Sequence, residues 1–309
     1  MNEFDLIDQI KPLLPLNNTV IVGAGDDCAV LAQAAGQDYL LFKTDSVVQG
    51  VHFTEEEDLL RVGRKALARC MSDLAAMGGS PQWALVTLGL PEITDVQPIC
   101  RIYEGMKSLA EKYDLAIVGG ETTHCPDRLW ISVAMVGRVA KSACILRNGA
   151  KPGDAVFVSG ELGGSRAGKH LDFEPRLLEA QWLTKRFNIR SMIDVSDGLA
   201  GDLRHIMKQS GVGAELHSAA IPISADARRL ARSSDTRTPL SSALSDGEDF
   251  ELLFTVSAKE AVALLDAWKK QFPDLQLKCI GKIIQSPVLR LVTPEGVREI
   301  HADGYLHFK

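Results

Sequence analysis

The sequence lacks the features that would place the chain in several large protein classes. It has no apolar run approaching the length of a membrane span, and its amino terminus does not have the basic, apolar and small-residue order of a signal peptide. Lys and Arg number 34 against 40 Asp and Glu, so the formal net charge of -6 provides no basic excess to attract nucleic acid or an anionic membrane. We therefore expect a cytoplasmic protein with neither of these partners.

Cysteine is scarce and scattered, which argues against two further kinds of site. The six cysteines are far apart in the sequence, and no two of them form the C-x-x-C pair of a zinc site or a thiol redox centre. We therefore expect reduced thiols that are mostly buried.

The 309 residues, 46% of them hydrophobic, suffice for one large domain or two medium ones. Apolar residues at helical spacing over 58–77 predict a helix, and the apolar run within 38–53 predicts a strand; other helix and strand patterns interleave along the chain. The segment RNGAKPGDA at 147–155 collects Gly, Pro and charge, so a domain boundary is expected shortly before it. We predict two α+β domains, 1–140 and 141–309.

Acidic residues recur beside Gly, Ser or Thr where apolar runs end. The pattern occurs in GAGDD, KTDS, SDLAAMGG, GGETT and IDVSDG, and again in SDGEDFEL. One such segment alone is more often a helix cap or a turn, because Ser, Asp and Gly favour those positions for backbone reasons. Six of them favour a functional interpretation, since loops at strand ends commonly carry the chemistry of a protein.

Convergence of these carboxylates would require a positive charge among them. Two unit charges about 5 Å apart repel by roughly 3 kcal/mol at an effective dielectric constant near 20. Oxygen ligands without His or Cys favour Mg²⁺, which commonly joins carboxylates to substrate phosphates. Lys43 and Asp45 are two residues apart on a predicted strand, so an ammonium group is expected on the face that carries Asp45. The candidate ligands of this predicted site are Asp27, Asp45, Asp73, Glu121, Asp194 and Asp197.

Two further segments resemble phosphate-binding elements. We predict that Ser196 caps a helix beginning near Asp197, where free backbone N–H groups would attract phosphate. Residues 163–170, GGSRAGKH, match most of a P-loop, but His170 replaces the magnesium-binding Ser or Thr. Pro175 also comes too early for the long helix that follows a P-loop. We interpret this segment as a flexible glycine loop.

Three other side chains are ambiguous from the sequence. His52 could donate a hydrogen bond to a substrate phosphate or simply end a strand. Arg147 could contact phosphates or be an ordinary exposed charge at the domain boundary. Tyr305 could stack on a ring or anchor the carboxyl terminus.

Taken in order, the motifs resemble those of the thiamine-monophosphate kinase family, in the superfamily of aminoimidazole ribonucleotide synthetase and selenophosphate synthetase. The resemblance spans nearly the whole chain and rests on GAGDDCAVL, TDSVVQGVHF, KALARCMSDLAAMGGSPQWALVTLGLP, GGETT, RNGAKPGD, IDVSDGLAGDLRHI, GEDFELLFTV, IGKI and GYLHF. It implies a two-domain α+β fold of the aminoimidazole ribonucleotide synthetase type, with mixed sheets and packed helices. It also implies a homodimer, formed through the amino-terminal sheet, that transfers phosphate directly from ATP to thiamine monophosphate.

The resemblance implies roles for individual residues as well, with ATP and several Mg²⁺ ions bound between acidic loops. The implied metal ligands are Asp27, Thr44, Asp45, Asp73, Glu121, Asp194 and Asp197, of which Asp45, Asp73 and Asp197 would be catalytic. The implied contacts to ATP are Gly120, Glu121, Arg147 and Ser196. The implied contacts to the thiamine substrate are His52, Glu248 and Tyr305.

Three departures from the family pattern keep other functions open. Glu121 and His124 replace an aspartate and an arginine, Lys43 replaces a small hydroxyl residue, and the loop after Ser165 is shortened. One alternative is a related enzyme that activates another oxygen acid or amide with ATP. Another is a nucleotide-binding dimer without catalytic activity. Selenophosphate synthetase is disfavoured, because its reactive Cys or Sec belongs in an amino-terminal glycine-rich loop and residues 1–22 contain no cysteine.

Overall fold

The computed structural model describes residues 3–33, 36–91, 95–233 and 237–300. Its α-helices, numbered in chain order, are α1 Glu3–Ile10, α2 Leu59–Ala76, α3 Gln97–Lys112, α4 Lys169–Asp172, α5 Leu177–Arg186, α6 Leu199–Ser210, α7 Ala225–Ala231, α8 Pro239–Ser245 and α9 Ala261–Gln271. Its strands are β1 Val20–Val22, β2 Ala29–Ala32, β3 Asp38–Val48, β4 Ser80–Leu90, β5 Ala116–His124, β6 Trp130–Ala140, β7 Asp154–Ser159, β8 Ile189–Asp194, β9 Gly213–His217, β10 Leu252–Ser257, β11 Leu277–Ile284, β12 Leu289–Thr293 and β13 Gly296–Glu299.

The chain divides into two compact units. The amino-terminal unit comprises Asn18–Cys144 and Leu171–Leu177, and the carboxy-terminal unit comprises Met1–Asn17, Ile145–His170 and Leu178–Lys309. Each contains one sheet with helices packed against it. The predicted α+β class is thus confirmed.

The sheet of the amino-terminal unit has the strand order β1-β2-β3-β6-β4-β5, with β4 and β5 parallel. Helix α2 packs against β3, β4 and β6 on one face, here called the inner face. Side chains alternate across β3, so Leu41 and Val47 are fully buried on the inner face while Phe42 is 49% exposed on the other, outer face. Lys43 and Asp45 share one face, as the sequence predicted, and this is the inner face that also carries Leu41 and Val47.

Helices α2 and α3 approach each other closely because each presents a glycine at their crossing. A Cβ atom added at Gly105 would lie 1.8 Å from the carbonyl oxygen of Leu60, and one added at Gly63 would lie 2.0 Å from that of Ile102. The N-terminus of α2 is capped by Asp58, whose side chain accepts from the N–H of Leu60. This packing fixes α2, and with it the polar residues that α2 directs at the inner face.

The carboxy-terminal unit is built on a seven-stranded sheet of order β13-β12-β9-β11-β7-β10-β8. The central strands β7 and β10 are almost entirely buried, and Phe157 stacks on Phe254 with ring centroids 5.5 Å apart. Helix α6 contributes the fully buried Leu203 and Ile206 to the core on the other face of this sheet. Edge strand β8 ends at Asp194, so the polar segment that follows lies at the edge of this sheet.

Candidate active site

Asp45 is held by an arginine that reaches it from helix α2. Arg69 Nε donates to Asp45 Oδ2 at 2.9 Å, and Arg69 Nη2 donates to Oδ1 at 3.1 Å. The backbone N–H of Ser46 also donates to Oδ1, at 2.7 Å. Burial alone would raise the pKa of Asp45, but the positive charges of Arg69 and Lys43 hold it below its ordinary value. Asp45 is therefore an ionised carboxylate.

Lys43 and Asp73 form a second ion pair beside the first. Lys43 Nζ lies 2.7 Å from Asp73 Oδ1, and the two side chains are 23% and 11% exposed. Burial alone would lower the pKa of Lys43, but the carboxylates of Asp73 and Asp45 raise it above its ordinary value. The ammonium group expected near Asp45 is thus present and charged.

Asp27 and Asp73 bring two buried carboxylates together. They are 2% and 8% exposed, and their carboxylates offer oxygens within 4.8 Å of each other. Unit charges at this separation repel by about 3 kcal/mol at an effective dielectric constant of 20, so a cation bound between them would stabilise the pair. The donors are hard oxygen atoms, which fit Mg²⁺ better than a softer metal.

Thr44 and Glu121 lie on the outer face, away from these carboxylates. Glu121 is in register with Thr87 of β4, which aligns with Ser132 of β6. Residues in register share a face of a sheet, and Thr44 Oγ1 lies 3.5 Å from Ser132 Oγ on that same face. The amino-terminal unit therefore does not bring Glu121 together with Asp45, which is on the inner face.

Gly120 precedes Glu121 on β5 and is in register with Val86 of β4. A Cβ atom at Gly120 would lie 1.7 Å from the carbonyl oxygen of Val86. The close approach of β4 and β5 is a structural reason for this glycine, independent of any contact to ATP.

His52 is buried in the turn four residues after the end of β3. Its Nδ1 accepts a hydrogen bond from the N–H of Val48 at 3.1 Å, and its carbonyl oxygen accepts one from Lys65 Nζ at 2.6 Å. A neutral imidazole that accepts at Nδ1 carries its proton at Nε2. His52 therefore presents Nε2–H as a hydrogen-bond donor.

Sequence reasoning missed one buried carboxylate, that of Asp202, which interacts with Asp194, Asp197 and Arg147. Asp202 on α6 is 1% exposed, and its Oδ2 accepts from the N–H of Asp197 at 3.1 Å. Burial raises the pKa of Asp202 far above its ordinary value, and the charges of Asp197 and Asp194 raise it further. The guanidinium of Arg147 acts in the opposite direction. Two of the predicted metal ligands thus lie near one predicted ATP contact.

The predicted helix cap at Ser196 is wrong. Helix α6 begins at Leu199, its N-cap is Gly198, and no side chain makes the capping hydrogen bond. Gly198 has φ 106°, and a Cβ atom there would lie 2.8 Å from Ser245 Cα, so the turn requires glycine. Ser196 instead lies three residues before the first residue of α6, and its carbonyl oxygen accepts from the N–H of Glu248 at 2.7 Å.

The glycine loop at 163–170 binds carboxylates of this chain. The N–H of Gly163 donates to Asp249 Oδ1 and Oδ2 at 3.0 and 2.9 Å, and the N–H of Gly164 donates to Asp246 Oδ2 at 3.2 Å. A P-loop directs such N–H groups at phosphates. The structure therefore supports the interpretation that this segment is not a P-loop. The sequence analysis expected a flexible loop, whereas these hydrogen bonds to Asp249 and Asp246 anchor it.

Glu248 combines an unusual backbone conformation with nearby cationic or titratable side chains. Its φ is 56°, which is uncommon for a residue with a side chain and is often found at functional sites. Its Oε2 lies 3.4 Å from His170 Nδ1 and 3.8 Å from Arg166 Nε. The side chain is 10% exposed. The resemblance also implied that Tyr305 contacts the thiamine substrate, together with His52 and Glu248. Tyr305 lies outside the described residues.

Comparison with known proteins places the whole chain in one family. Residues 25–139 match AIR synthase related protein, N-terminal domain, and residues 164–293 match AIR synthase related protein, C-terminal domain. Thiamine-monophosphate kinase of Rhodopirellula baltica is 39% identical over 93% of this chain and 92% of that protein. The enzyme of Bacillus subtilis is 34% identical, with both chains covered in full. The chain belongs to the thiamine-monophosphate kinase family of AIR synthase related proteins.

Solved structures agree with this assignment. AaThiL complexed with AMPPCP and TMP aligns with a TM-score of 0.80 at 32% identity, covering 99% of this chain and 97% of that one. Thiamine-monophosphate kinase from Stenotrophomonas maltophilia K279a aligns with a TM-score of 0.74 at 32% identity, covering 94% and 96%. The resemblance drawn from the motifs and the expected two-domain fold are confirmed. Among the helices of the described residues, none has the length and apolarity needed to span a bilayer.

Proposed function

We propose that this chain phosphorylates thiamine monophosphate to thiamine diphosphate with ATP as the phosphate donor. The observation that carries this proposal is full-length similarity to proteins named thiamine-monophosphate kinase, together with the fold shared with AaThiL complexed with AMPPCP and TMP. The use of ATP favours the cytoplasm as the place of action.

We further propose that each unit holds Mg²⁺ with carboxylates of its own. Asp27, Asp45 and Asp73 would serve from the amino-terminal unit, and Asp194 with Asp197 from the carboxy-terminal unit. Asp45 can still take part, because each carboxylate oxygen can accept more than one bond. Bound Mg²⁺ would neutralise the phosphates and the charge that develops during transfer.

Thr44 and Glu121 cannot bind the same metal ion as Asp27 and Asp73 within this proposal. Their side chains lie on the outer face, so any metal they bind would be distinct from an ion at Asp27 and Asp73. Glu121 is exposed, which leaves its carboxylate accessible from that face.

The proposed substrate contacts follow from the chemistry of the groups. The Nε2–H of His52 suits a phosphate oxygen of thiamine monophosphate, and the carboxylate of Glu248 suits the cationic thiazolium ring. Arg147 would contact ATP phosphates, with Gly120 and Ser196 offering backbone groups. Tyr305 stays a proposed contact to the thiamine ring system.

Direct transfer requires positioning more than a protein nucleophile. A phosphate oxygen of thiamine monophosphate would attack the γ-phosphorus in line, and the bond from that phosphorus to ADP would break. The side chains would hold both anions against their mutual repulsion. Burial raises the pKa values of Cys28 and Cys70, which keeps these thiols protonated and argues against a covalent cysteine step.

We also propose a homodimer formed through the outer face. Phe42, Trp83 and Leu85 are each about half exposed on this face (49%, 50% and 49%), and Val118 on the edge strand is 59% exposed. Strand β5 has exposed or partly exposed residues throughout. An apolar face beside an open edge strand is typical of a surface that pairs with another chain.

The second candidate function is nucleotide binding without turnover. Lys43 and Arg69 favour it, because cations already paired with Asp73 and Asp45 reduce the need of these carboxylates for metal.

The deciding experiment measures thiamine diphosphate after incubation of the purified chain with ATP, Mg²⁺ and thiamine monophosphate. Asp73→Asn is the inactive variant, and Asp127→Asn, an exposed aspartate, is the matched control. Product from the wild type and Asp127→Asn but not from Asp73→Asn supports the kinase. ATP binding without product contradicts it and supports the second candidate.

A further inference from the structure

We infer that Lys43 and Arg69 act as fixed cations that replace part of the divalent-metal complement of the amino-terminal carboxylates. These two residues, with Asp27, Asp45 and Asp73, are called the inner-face cluster. The inference rests on the proposed function only in treating this cluster as a metal and phosphate site. The geometry that carries it belongs entirely to the amino-terminal unit.

The two cations are built into the packing of strand and helix. Lys43 and Asp45 are two residues apart on β3, and Arg69 and Asp73 are four residues apart on α2, so each pair lies on one face of its element. The bonds join Lys43 to Asp73 and Arg69 to Asp45. Each element thus contributes one cation and one carboxylate.

Charge within the cluster is close to balanced without any metal. Asp27, Asp45 and Asp73 contribute three negative charges, and Lys43 and Arg69 contribute two positive ones, which leaves one net negative charge. Without the two side-chain cations the same carboxylates would carry three, and their mutual repulsion would require divalent ions. The chain therefore supplies internally a charge that a metal would otherwise supply.

Lys43 occupies the position where it affects metal binding most directly. Its ammonium lies 2.7 Å from Asp73, whose carboxylate also forms the close pair with Asp27. A metal ion at that pair must share Asp73 with the ammonium and is repelled by it. An ion pair with a purely structural role would stabilise the fold without competing with metal, so metal binding distinguishes the two roles.

The test counts Mn²⁺ ions bound to the full chain, without nucleotide or thiamine monophosphate, by the electron paramagnetic resonance signal of free Mn²⁺. Lys43→Met removes the ammonium and keeps most of the side-chain length. Lys112→Met is the matched control, because Lys112 pairs with Glu174 at the same 2.7 Å in the same unit but outside the cluster. Thermal unfolding with and without Mn²⁺ is measured in parallel.

Lys43→Met should bind one more Mn²⁺ ion per chain or bind Mn²⁺ about tenfold more tightly, since a neighbouring like charge is removed. Its melting temperature without metal should fall, and Mn²⁺ should restore it towards the wild-type value. Adding Asp73→Asn should abolish the gain in Mn²⁺ binding. Lys112→Met should bind Mn²⁺ as the wild type does.

Unchanged Mn²⁺ number and affinity in Lys43→Met and in the polar variant Lys43→Gln would overturn the inference. Failure of both variants to fold, even with Mn²⁺ present, would also overturn it, since metal could then not replace the ammonium. Neither readout involves phosphate transfer. An inactive wild type would contradict the proposed kinase and leave this inference intact.

Discussion

The backbone N–H of Gly163 donates to both carboxylate oxygens of Asp249, at 3.0 and 2.9 Å. Asp249 is fully buried, and this burial raises its pKa to about 7. A glycine loop with most of a P-loop pattern therefore encloses a titratable group of the chain itself. The stability of the carboxy-terminal unit should consequently depend on pH in the neutral range.

Asp249→Asn should remove one pH-dependent contribution to stability. The folded pKa of about 7 is above the unfolded value of about 3.9, so the native state binds the proton more tightly. The contribution of Asp249 to the free energy of unfolding is therefore greatest below about pH 4 and decreases as the pH rises to about 7. Urea unfolding from pH 4 to 8 should show this decrease in the wild type and its loss in Asp249→Asn. Asp127→Asn, at an exposed position, is the control and should show the same pH dependence as the wild type. If the free energy of unfolding of Asp249→Asn depended on pH in the same way as that of the wild type, the prediction would be contradicted.

Lys169→Met should destabilise the fold without weakening nucleotide binding. Lys169 Nζ donates to Glu251 Oε1 and to the carbonyl oxygen of Glu161, both at 2.9 Å, so it is engaged within the chain. The side chain of Glu251 is only 1% exposed, and removing its cationic partner should cost about 3 kcal/mol. Chemical denaturation measures the cost, and calorimetric titration with an ATP analogue measures affinity. The double variant Lys169→Met/Glu251→Gln is the internal check and should recover the lost stability. A folded Lys169→Met variant that binds the ATP analogue more weakly would instead favour a true P-loop.

Gly105→Ala should destabilise the amino-terminal unit by about 2 kcal/mol or more, because overpacking forces a backbone shift. The added methyl group would meet the carbonyl oxygen of Leu60 at the crossing of α2 and α3. Alanine otherwise favours a helix over glycine, so helix propensity predicts the opposite sign. Denaturant unfolding decides between them, with Lys107→Ala on the exposed side of α3 as control. A stabilised Gly105→Ala would show that the helices separate at low cost.

The periodic parts of the fold could be read from the sequence. The apolar spacing that predicts a helix over 58–77 corresponds to α2, and the strand that carries Lys43 and Asp45 on one face corresponds to β3. Helices α7 and α8 were missed, since their seven residues each give too little periodicity to be distinguished from loops.

The site was harder to predict, because its partners come from different elements. Arg69 precedes Asp73 by one helical turn, so the sequence did contain a signal that it shares the face of α2 that carries Asp73. Nothing local indicates that Arg69 reaches Asp45, which depends on how α2 packs on the sheet. Glu121 was grouped with Asp45 because both belong to the recurring acidic motifs and because the family resemblance implied it, whereas the register of β5 places it on the opposite face.

Trp83→Lys with Leu85→Lys should convert the proposed dimer to a monomer. Both side chains are about half exposed on the outer face, 50% and 49%, and two ammonium groups there could be buried in an interface only at high cost. Neither residue belongs to the inner core, so each unit should still fold. Sedimentation velocity measures the change in mass, and circular dichroism checks the fold.

The control for this prediction is Val262→Lys, which introduces the same charge at a 71% exposed position of α9. It should leave the sedimentation unchanged, because α9 belongs to the carboxy-terminal unit and not to the outer face. A wild-type chain that sediments as a monomer at micromolar concentration would contradict the dimer outright. A dimer that persists in the double lysine variant would place the interface on another surface, and the exposed Phe42 and Val118 would then need a different explanation.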